Sequence, residues 1–495
     1  MAILEITASR RGSLTPSLQQ LEAAQLIRAL AELERAYFFR HVLVQESAYE
    51  TLLKQERKHL HRAIAVALEQ NANVAAEELA RHFAAGEEPA RAADYFARAG
   101  ERARVRFANV EAIHFFYAAL GQWEKIASAP RAARVELYEQ LGDVLGLIGK
   151  HAEAVAQFDA GMELAEDTLT RARLIRKKGD VFQIQLQFEL PRATYNAAEK
   201  ELGALDATQS RARWEEWIWI QVGAMNNFYW HGFWEQVRAL TERAEPFVKQ
   251  YGTPALRAMY FDRVEMMLAR RNRYVMDDET RELVVRMREA AEESQEARQI
   301  LNARFSMAFV DLRRRDLEIS ESEFLWTIER AQELGDVLYE LWARTYLAVL
   351  YRWRGDVTRT REMALASFQV ASATGTPWYG AGVANLAWVA LRENNFQETR
   401  RLAHEALKIW EPFGELYPFK TLALFPLLVI ARRENSFAEA IKYAREILNP
   451  TQEKLAEELE GAVKRAVELF EANDLEGTRN ELTRVVEVAR GLGFV

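Results

Sequence analysis

The stretch Leu141-Gly142-Asp143-Val144-Leu145-Gly146-Leu147-Ile148-Gly149-Lys150-His151-Ala152-Glu153-Ala154-Val155-Ala156-Gln157-Phe158-Asp159-Ala160-Gly161 decides how the chain is read. Two amphipathic helices flank a tight turn at Gly149. The first carries the small Gly142, where a neighbouring helix can approach closely. The second places Ala154 and Phe158 four apart, and so on one face. The turn then recurs at Gly149, about Phe188, Gly232, Asn272, Arg315, Gly355, Asn394, Asn435 and Asn473, at spacings of 38 to 44 residues. Gly and Asn are the residues expected where a helix ends in a left-handed conformation.

Two residues after each turn the side chain is mostly apolar: Leu190, Trp234, Tyr274, Leu317, Val357, Phe396, Phe437 and Leu475. Three residues further it is usually small: Ala154, Ala193, Ser320, Thr360, Thr399, Ala440 and Thr478. This unit resembles a tetratricopeptide repeat, with a period near 40 where ~34 is usual. The added residues predict helices about one turn longer, at ~3.6 residues per turn. One such repeat cannot bury its apolar face alone, so stacking builds the core. The expected fold is all-α: a tetratricopeptide-like α-solenoid, a right-handed superhelix of roughly eleven helical hairpins, preceded by a small helical module at the N-terminus. The expected divisions are a tail at 1–20, a helical joint at 21–72, short hairpins at 73–128 and the repeat superhelix at 129–495.

Composition agrees. The 495 residues include only 23 Gly and 11 Pro, as long helices require, and 49% are hydrophobic, so the chain can bury a large core. The absence of Cys excludes disulfides, thiolate nucleophiles and Cys-ligated zinc. A net charge of −8 gives no electrostatic footprint for nucleic acid. In the first residues a short apolar run, Ala2 to Ile6, precedes Arg10-Arg11, the reverse of a secretory signal. The longest apolar run elsewhere, Leu422 to Ala431, is too short to span a bilayer. A cytoplasmic location is expected, with no membrane contact.

The N-terminal part reads differently. Arg10 to Leu18 has linker chemistry, Leu21 to Glu34 predicts a helix, Tyr37 to Arg40 a short strand or helix start, and His41 to Gln70 one or two helices. Ala75 to Ala99 and Ala103 to Leu120 read as two short hairpins. The segments Tyr37-Phe-Phe-Arg-His-Val-Leu-Val-Gln-Glu-Ser-Ala-Tyr-Glu-Thr-Leu-Leu53, Arg57-Lys-His-Leu-His-Arg62, Glu77-Glu-Leu-Ala-Arg-His-Phe83, Ala92-Ala-Asp-Tyr-Phe-Ala-Arg-Ala-Gly100 and Ala108-Asn-Val-Glu-Ala-Ile113 follow in order. Together they resemble the joint between ATPase core and repeat arm in bacterial STAND-type signalling ATPases, especially those associated with adenylate or guanylate cyclase domains. The resemblance covers about residues 20–125. It implies a cyclase or other effector, a P-loop ATPase, a winged-helix element and then superhelical repeats, with residues 20–70 as the end of the winged-helix element, so that the small N-terminal module is winged-helix-derived. The string nearest to a Walker A loop, Gly142 to Lys150, lacks its Gly spacing and has His151 where Ser or Thr should bind magnesium. ATPase and cyclase activities are therefore not carried over.

No catalytic, cofactor or metal constellation stands out. His59 and His61 lie two apart on a helix and cannot chelate together. His41 and Glu46 read as packing or capping groups of the joint. The acidic clusters Asp277-Asp278-Glu279, Glu292-Glu293 and Glu457-Glu458 suit helix starts or solvated faces. Basic groups recur where first helices end: Arg270-Arg271, Arg313-Arg314-Arg315, Arg352 with Arg354, and Arg432-Arg433. Dipole compensation explains them, and a basic stripe reading an anionic partner is the sharper alternative. Of 12 Trp, five crowd together at Trp214, Trp217, Trp219, Trp230 and Trp234. Trp234 falls in the register expected to be core. Counting back from each turn by the helical period gives the face that should line the concave surface. That face receives Trp219, Asn226, Tyr229, Asp262, Glu265, Asn302, Phe305, Phe309, Trp342, Tyr351, Trp388 and Phe425. Two readings stay open. Bulky residues fill a tight superhelix, or ten of these (Trp219, Asn226, Tyr229, Asn302, Phe305, Phe309, Trp342, Tyr351, Trp388 and Phe425) form a groove for a partner. The expected function is a non-enzymatic interaction arm binding a protein or peptide segment. The alternatives are a small-molecule sensor enclosing its ligand, or part of an ATPase or cyclase whose catalytic domains lie outside this chain.

Overall fold

The computed structural model describes residues 14–29, 37–70, 73–184, 189–206, 208–374, 379–412 and 417–495. They form 24 helices and one two-stranded ribbon. Two compact units divide the chain, Met1–Val144 and Leu145–Val495.

The first unit opens with α1 (Leu14–Ala23) and the antiparallel strands β1 (Ile27–Ala29) and β2 (Tyr37–Phe39), with Ile27 opposite Phe39. Then come α2 (Val42–Glu50), α3 (Lys54–Glu69), α4 (Ala76–Ala85), α5 (Pro89–Val105), α6 (Asn109–Trp123) and most of α7 (Arg131–Leu147). The helix expected across Leu21 to Glu34 stops at Ala23, because Gln25 turns left-handed (φ 59°) and redirects the chain into β1. Where two short hairpins were expected there are three helices, α4 to α6, with left-handed turns at Glu87 and Phe107. Small residues let α5 and α6 meet: a Cβ on Gly100 would sit 2.6 Å from the Phe116 ring. His41 and Glu46 are exposed, and His41 precedes α2 without a side-chain capping bond.

The second unit is a run of paired helices. After α8 (His151–Leu164) come α9 (Thr168–Ile184) with α10 (Glu189–Leu202), α11 (Arg211–Trp230) with α12 (Trp234–Tyr251), and α13 (Pro254–Arg271) with α14 (Asp278–Ser294). Then follow α15 (Ala297–Arg313) with α16 (Leu317–Leu334), α17 (Val337–Trp353) with α18 (Val357–Thr374), and α19 (Gly380–Arg392) with α20 (Phe396–Ile409). The last pairs are α21 (Thr421–Arg433) with α22 (Phe437–Ile447), and α23 (Glu457–Glu471) with α24 (Leu475–Gly491). From α9 to α21 the first helix of each pair also touches the first helix of the next. Each hairpin therefore leans on its neighbour, which is the solenoid principle. The helices α13 to α18 run 17 or 18 residues, the added turn that the long period predicts.

Turn chemistry sets this register. Gly149, Gly232, Arg315, Gly355, Asn394, Asn435 and Asn473 all adopt positive φ, between 56° and 83°. In each case the next N–H bonds back to a carbonyl five residues earlier, as Lys150 does to Leu145 (2.8 Å) and Asn395 to Ala390 (2.9 Å). That is the Schellman closure of a helix C-terminus. The turn expected about Phe188 falls outside the described residues. At the turn expected on Asn272 the left-handed residues are Arg273 and Tyr274 instead (φ 50° and 63°), so the loop is longer and Asp277 caps α14 by accepting from Thr280 N–H (2.9 Å).

The small-residue register is the buried one. Ala154, Ser320, Thr360, Thr399, Ala440 and Thr478 are fully enclosed. The threonine hydroxyls stay inside their own helix, as when Thr399 donates to Asn395 O (2.8 Å), while Ser320 donates across to Ala308 O of α15 (2.8 Å). Ala193 is exposed, in the pair whose turn could not be fixed from sequence. Trp234 is half-buried rather than core, and Leu475 is exposed, because the position two after the turn lies at the helix entrance. Close approach needs glycine elsewhere too. A Cβ on Gly223 of α11 would meet the Tyr195 ring of α10 at 2.5 Å.

Candidate functional site

On α13 the side chains sort by direction. Ala258 and Asp262 face α15, where Ala258 joins Ala303 in one cluster and Asp262 accepts from Ser306 (3.1 Å). Phe261 takes Arg286 of α14 over its ring (4.6 Å), and Tyr260 donates to Thr241 O of α12 (3.2 Å). The direction left over holds Met259, Arg263, Met266 and Arg270, all half-buried. This is the inner face, turned away from the second helices. The same face on α11 holds Trp219, Asn226 and Trp230, on α15 Asn302, Phe305 and Phe309, and on α17 Trp342 and Tyr346.

Contacts between successive first helices join these residues into a strip. Arg263 donates to Asn226 Oδ1 (3.1 Å) and pairs with Asp262 (2.8 Å). Asn302 donates to Met259 Sδ (3.4 Å) and accepts from Tyr339 (2.5 Å). The Phe305 ring lies 5.8 Å from Trp342, and Phe309 lies 4.9 Å from Tyr346. Trp219 carries the buried Arg176 over its ring (5.5 Å), itself held by Glu216 (2.6 Å) and Asp180 (2.9 Å). Half-exposed aromatics and thioethers with a few fixed polar groups are what an extended ligand needs.

Of the ten residues expected in the groove, Trp219, Asn226, Asn302, Phe305, Phe309 and Trp342 therefore lie along this strip. Tyr229 is buried beside it, its hydroxyl bonded to Tyr274 (2.5 Å). The other three do not lie on it. Tyr351 points the opposite way, donating to Glu321 of α16 (2.8 Å) under Arg359. Its place, nine residues beyond Trp342, is half a turn round the helix. Trp388 and Phe425 are enclosed, at 1% and 0% exposure, because the chain fills its own interior there. The Phe494 ring packs 4.8 Å from Phe425. Arg352, fully buried, donates to Phe494 O (2.6 Å) and Leu422 O (3.0 Å), and burial lowers its guanidinium to about 9. Gly493 (φ 80°) lies against the Trp353 backbone, where a Cβ would come within 2.5 Å. The loop at 449–456 lies against the C-terminal ends of α13 and α15 and the start of α21. Glu453 pairs with Arg313 (2.5 Å), Lys454 N–H donates to Arg273 O (2.8 Å), and Arg273 donates to Gln452 O (3.0 Å).

Asp262 and Glu265 also miss the inner face. The count that placed them there started from Asn272, one residue before the true left-handed turn, and one residue is ~100° of helix. The residues missed, Arg263, Met266 and Arg270, are the neighbours that this correction brings in. Glu265 is buried with Oε1 unpartnered. Burial, reinforced by nearby Asp262, pushes it up to about 8.

The expected basic stripe is mostly taken up inside the molecule. Arg314 pairs with Asp278 (3.0 Å), Arg354 with Glu321, and Arg432 donates to Thr483 (2.7 Å). Arg433 lies over Phe396 (4.1 Å). Gly149 and Lys150 form a repeat turn, with Lys150 paired to Glu153 (3.1 Å). Among the described residues, no group of three or more His, Asp or Glu is placed to hold a metal ion, and no helix is long and apolar enough to cross a membrane.

Helix pairing, turn geometry and first-helix contacts define an all-helical solenoid of the tetratricopeptide kind. No protein-family model matches the chain. Over an alignment of 138 residues that covers 26% of the chain, it is 31% identical to uncharacterized protein R02095 of Rhizobium meliloti (strain 1021), of which it spans 13%. Among solved structures, the chain is similar to Cut9 in the APC/C hetero-tetramer Cut9-Hcn1, at 11% identity over 90% of this chain and 96% of that one, with a TM-score of 0.44. It is similar to a STAND protein with a tetratricopeptide repeat sensor from Pyrococcus horikoshii, at 13% identity over 96% of this chain and 62% of that one, with a TM-score of 0.41. It is also similar to a Rap protein complexed with competence and sporulation factor, at 10% identity over 82% and 99%, with a TM-score of 0.40.

Proposed function

We propose that this chain is a non-catalytic interaction arm that binds an extended protein segment along the inner strip of α11 to α17. The observation that carries the reading is the strip itself. Trp219, Asn226, Phe305, Phe309 and Trp342 remain half-buried, while Trp388 and Phe425 are enclosed, with the Phe494 ring packed on Phe425. Half-exposed aromatics in a row gain most when a partner completes their burial, as interface anchors do. The STAND-like residues of the N-terminal part fit a joint, derived from a winged helix, that reports occupancy of the strip to an ATPase module of the same system. Such a report requires the partner to favour one arrangement of the joint over another.

The test compares wild type with a Trp219→Ala/Trp342→Ala double variant in pull-downs from native lysate, each read by mass spectrometry. The double variant keeps the wild-type melting temperature within a few degrees, since both side chains are half-exposed. It loses the partner that the wild type recovers. Recovery of identical partners at equal yield removes the strip from the function.

A further inference from the structure

We propose that Arg270 anchors a carboxylate of the bound segment, so that the strip selects an acidic peptide. The inference rests on the reading of the strip as a binding surface. Arg263 is paired with Asp262 (2.8 Å), Arg298 with Asp336 (2.9 Å) and Arg313 with Glu453 (2.5 Å). The side chain of Arg270, two turns beyond Arg263 on the same face of α13, makes no hydrogen bond and no ion pair among the described residues. It lies instead over the Tyr229 and Tyr274 rings, at 5.2 and 5.9 Å from their centroids. Its Nε and Nη1 are buried without a partner.

A half-buried guanidinium with no counter-ion is costly, and an arriving carboxylate relieves that cost. The platform beneath it is rigid, because the two tyrosine hydroxyls are bonded to each other at 2.5 Å. Arg270 is therefore oriented before any ligand arrives, which lowers the entropy lost on binding. The carboxyl closest to it along its own helix does not cancel the charge. Glu265 forms no hydrogen bond to it, and burial holds that carboxyl up at about 8, largely protonated at neutral pH. Met259 and Met266 on the same face are adaptable apolar contacts. The segment that fits carries an Asp or Glu with apolar neighbours. The chain as a whole is acidic, at −8, so an acidic segment is repelled by most of the surface and accepted here.

Peptide display against the immobilised full chain tests this, with a random linear library. Selections on wild type should return peptides with Asp or Glu at one fixed place between apolar residues. On Arg270→Met that acidic preference should vanish while the apolar pattern persists, and on Arg270→Lys it should survive weakened. A selected peptide, synthesised with a fluorescent label, should bind Arg270→Met about tenfold or more weakly, the scale of a charged hydrogen bond. Its Glu→Gln version should bind wild type and Arg270→Met equally. Wild-type peptides with no acidic preference, or an equal loss for both peptides, overturn the anchor and leave the strip standing. Peptides unaffected by Trp219→Ala/Trp342→Ala overturn the strip and the anchor with it.

Discussion

The inner faces of α11 to α17 and of α19 to α21 come from the same repeat, yet they meet different fates. On α13, polar and apolar residues alternate by direction, and Met259, Arg263, Met266 and Arg270 keep contact with solvent. On α21, Thr421 to Ile430 is apolar on nearly every side, and almost the whole helix is buried. A helix that is hydrophobic all round must be enclosed on all sides. Neighbouring helices cover only part of α21. Phe494 and Val495 complete the cover, with Arg352 holding the tail carbonyl. The contrast teaches that repeat register fixes which face is inner, and residues outside the repeat decide whether that face is open.

Paired truncations put the contrast at risk most sharply. Phe425→Ala removes a fully buried ring and should cost about 3–5 kcal/mol. Trp342→Ala removes a half-exposed one and should cost about 1–2 kcal/mol. Urea unfolding of both variants measures the gap, and equal losses would erase the distinction between the two regions.

A titration comes next in size. The Glu265 carboxyl is raised by burial to about 8 from an ordinary 4.5. A raised carboxyl leaves stability fully present below the unfolded value and removes it as pH climbs through the folded one. Glu265→Gln should therefore melt higher than wild type, by a margin that widens from pH 5 to pH 9. A margin independent of pH would mean that Glu265 is already ionised, and that the α13 face is wetter than described.

The smallest effect belongs to the first unit and leaves both inner faces untouched. Tyr49 is bonded to His61 Nε2 (2.9 Å), and His61 Nδ1 lies 2.9 Å from His82 Nδ1. That contact needs one ring to accept, so it breaks when both imidazoles are protonated. Burial lowers both rings below their ordinary 6.5. His82 adds to the effect on His61, and Glu78 opposes it on His82. The stability they contribute is present above pH 6.5 and fades as pH falls through the lowered values. Hydrogen exchange corrected for intrinsic rates should quicken in α2 to α4 between pH 7.5 and 5.5. No comparable quickening is expected in α15 to α17.

Most of the fold was legible because one left-handed residue per repeat is a strong signal. Gly149, Gly232, Gly355, Asn394, Asn435 and Asn473 are residues that tolerate positive φ, and all adopt it, whereas Asn272 does not. Arg315 adopts it too, identified by spacing alone. The candidate site was legible only where the turn was placed correctly. Misplacing the α13 turn by one residue rotated the face from Arg263 and Arg270 to Asp262 and Glu265. The enclosure of Trp388 and Phe425 was not legible at all. It depends on contacts such as Arg352 with Phe494 and Phe425 with Phe494, which join residues distant in sequence and leave no periodic trace.

Hydroxyl-radical footprinting of the full chain, read residue by residue by mass spectrometry, addresses the central claim most directly. Met259, Met266, Trp219 and Trp342 should be modified readily in the free protein, while Trp388, Phe425 and Phe494 stay protected until the chain unfolds. Similar modification of the two sets, or protection of the first set in the free protein, would contradict the account.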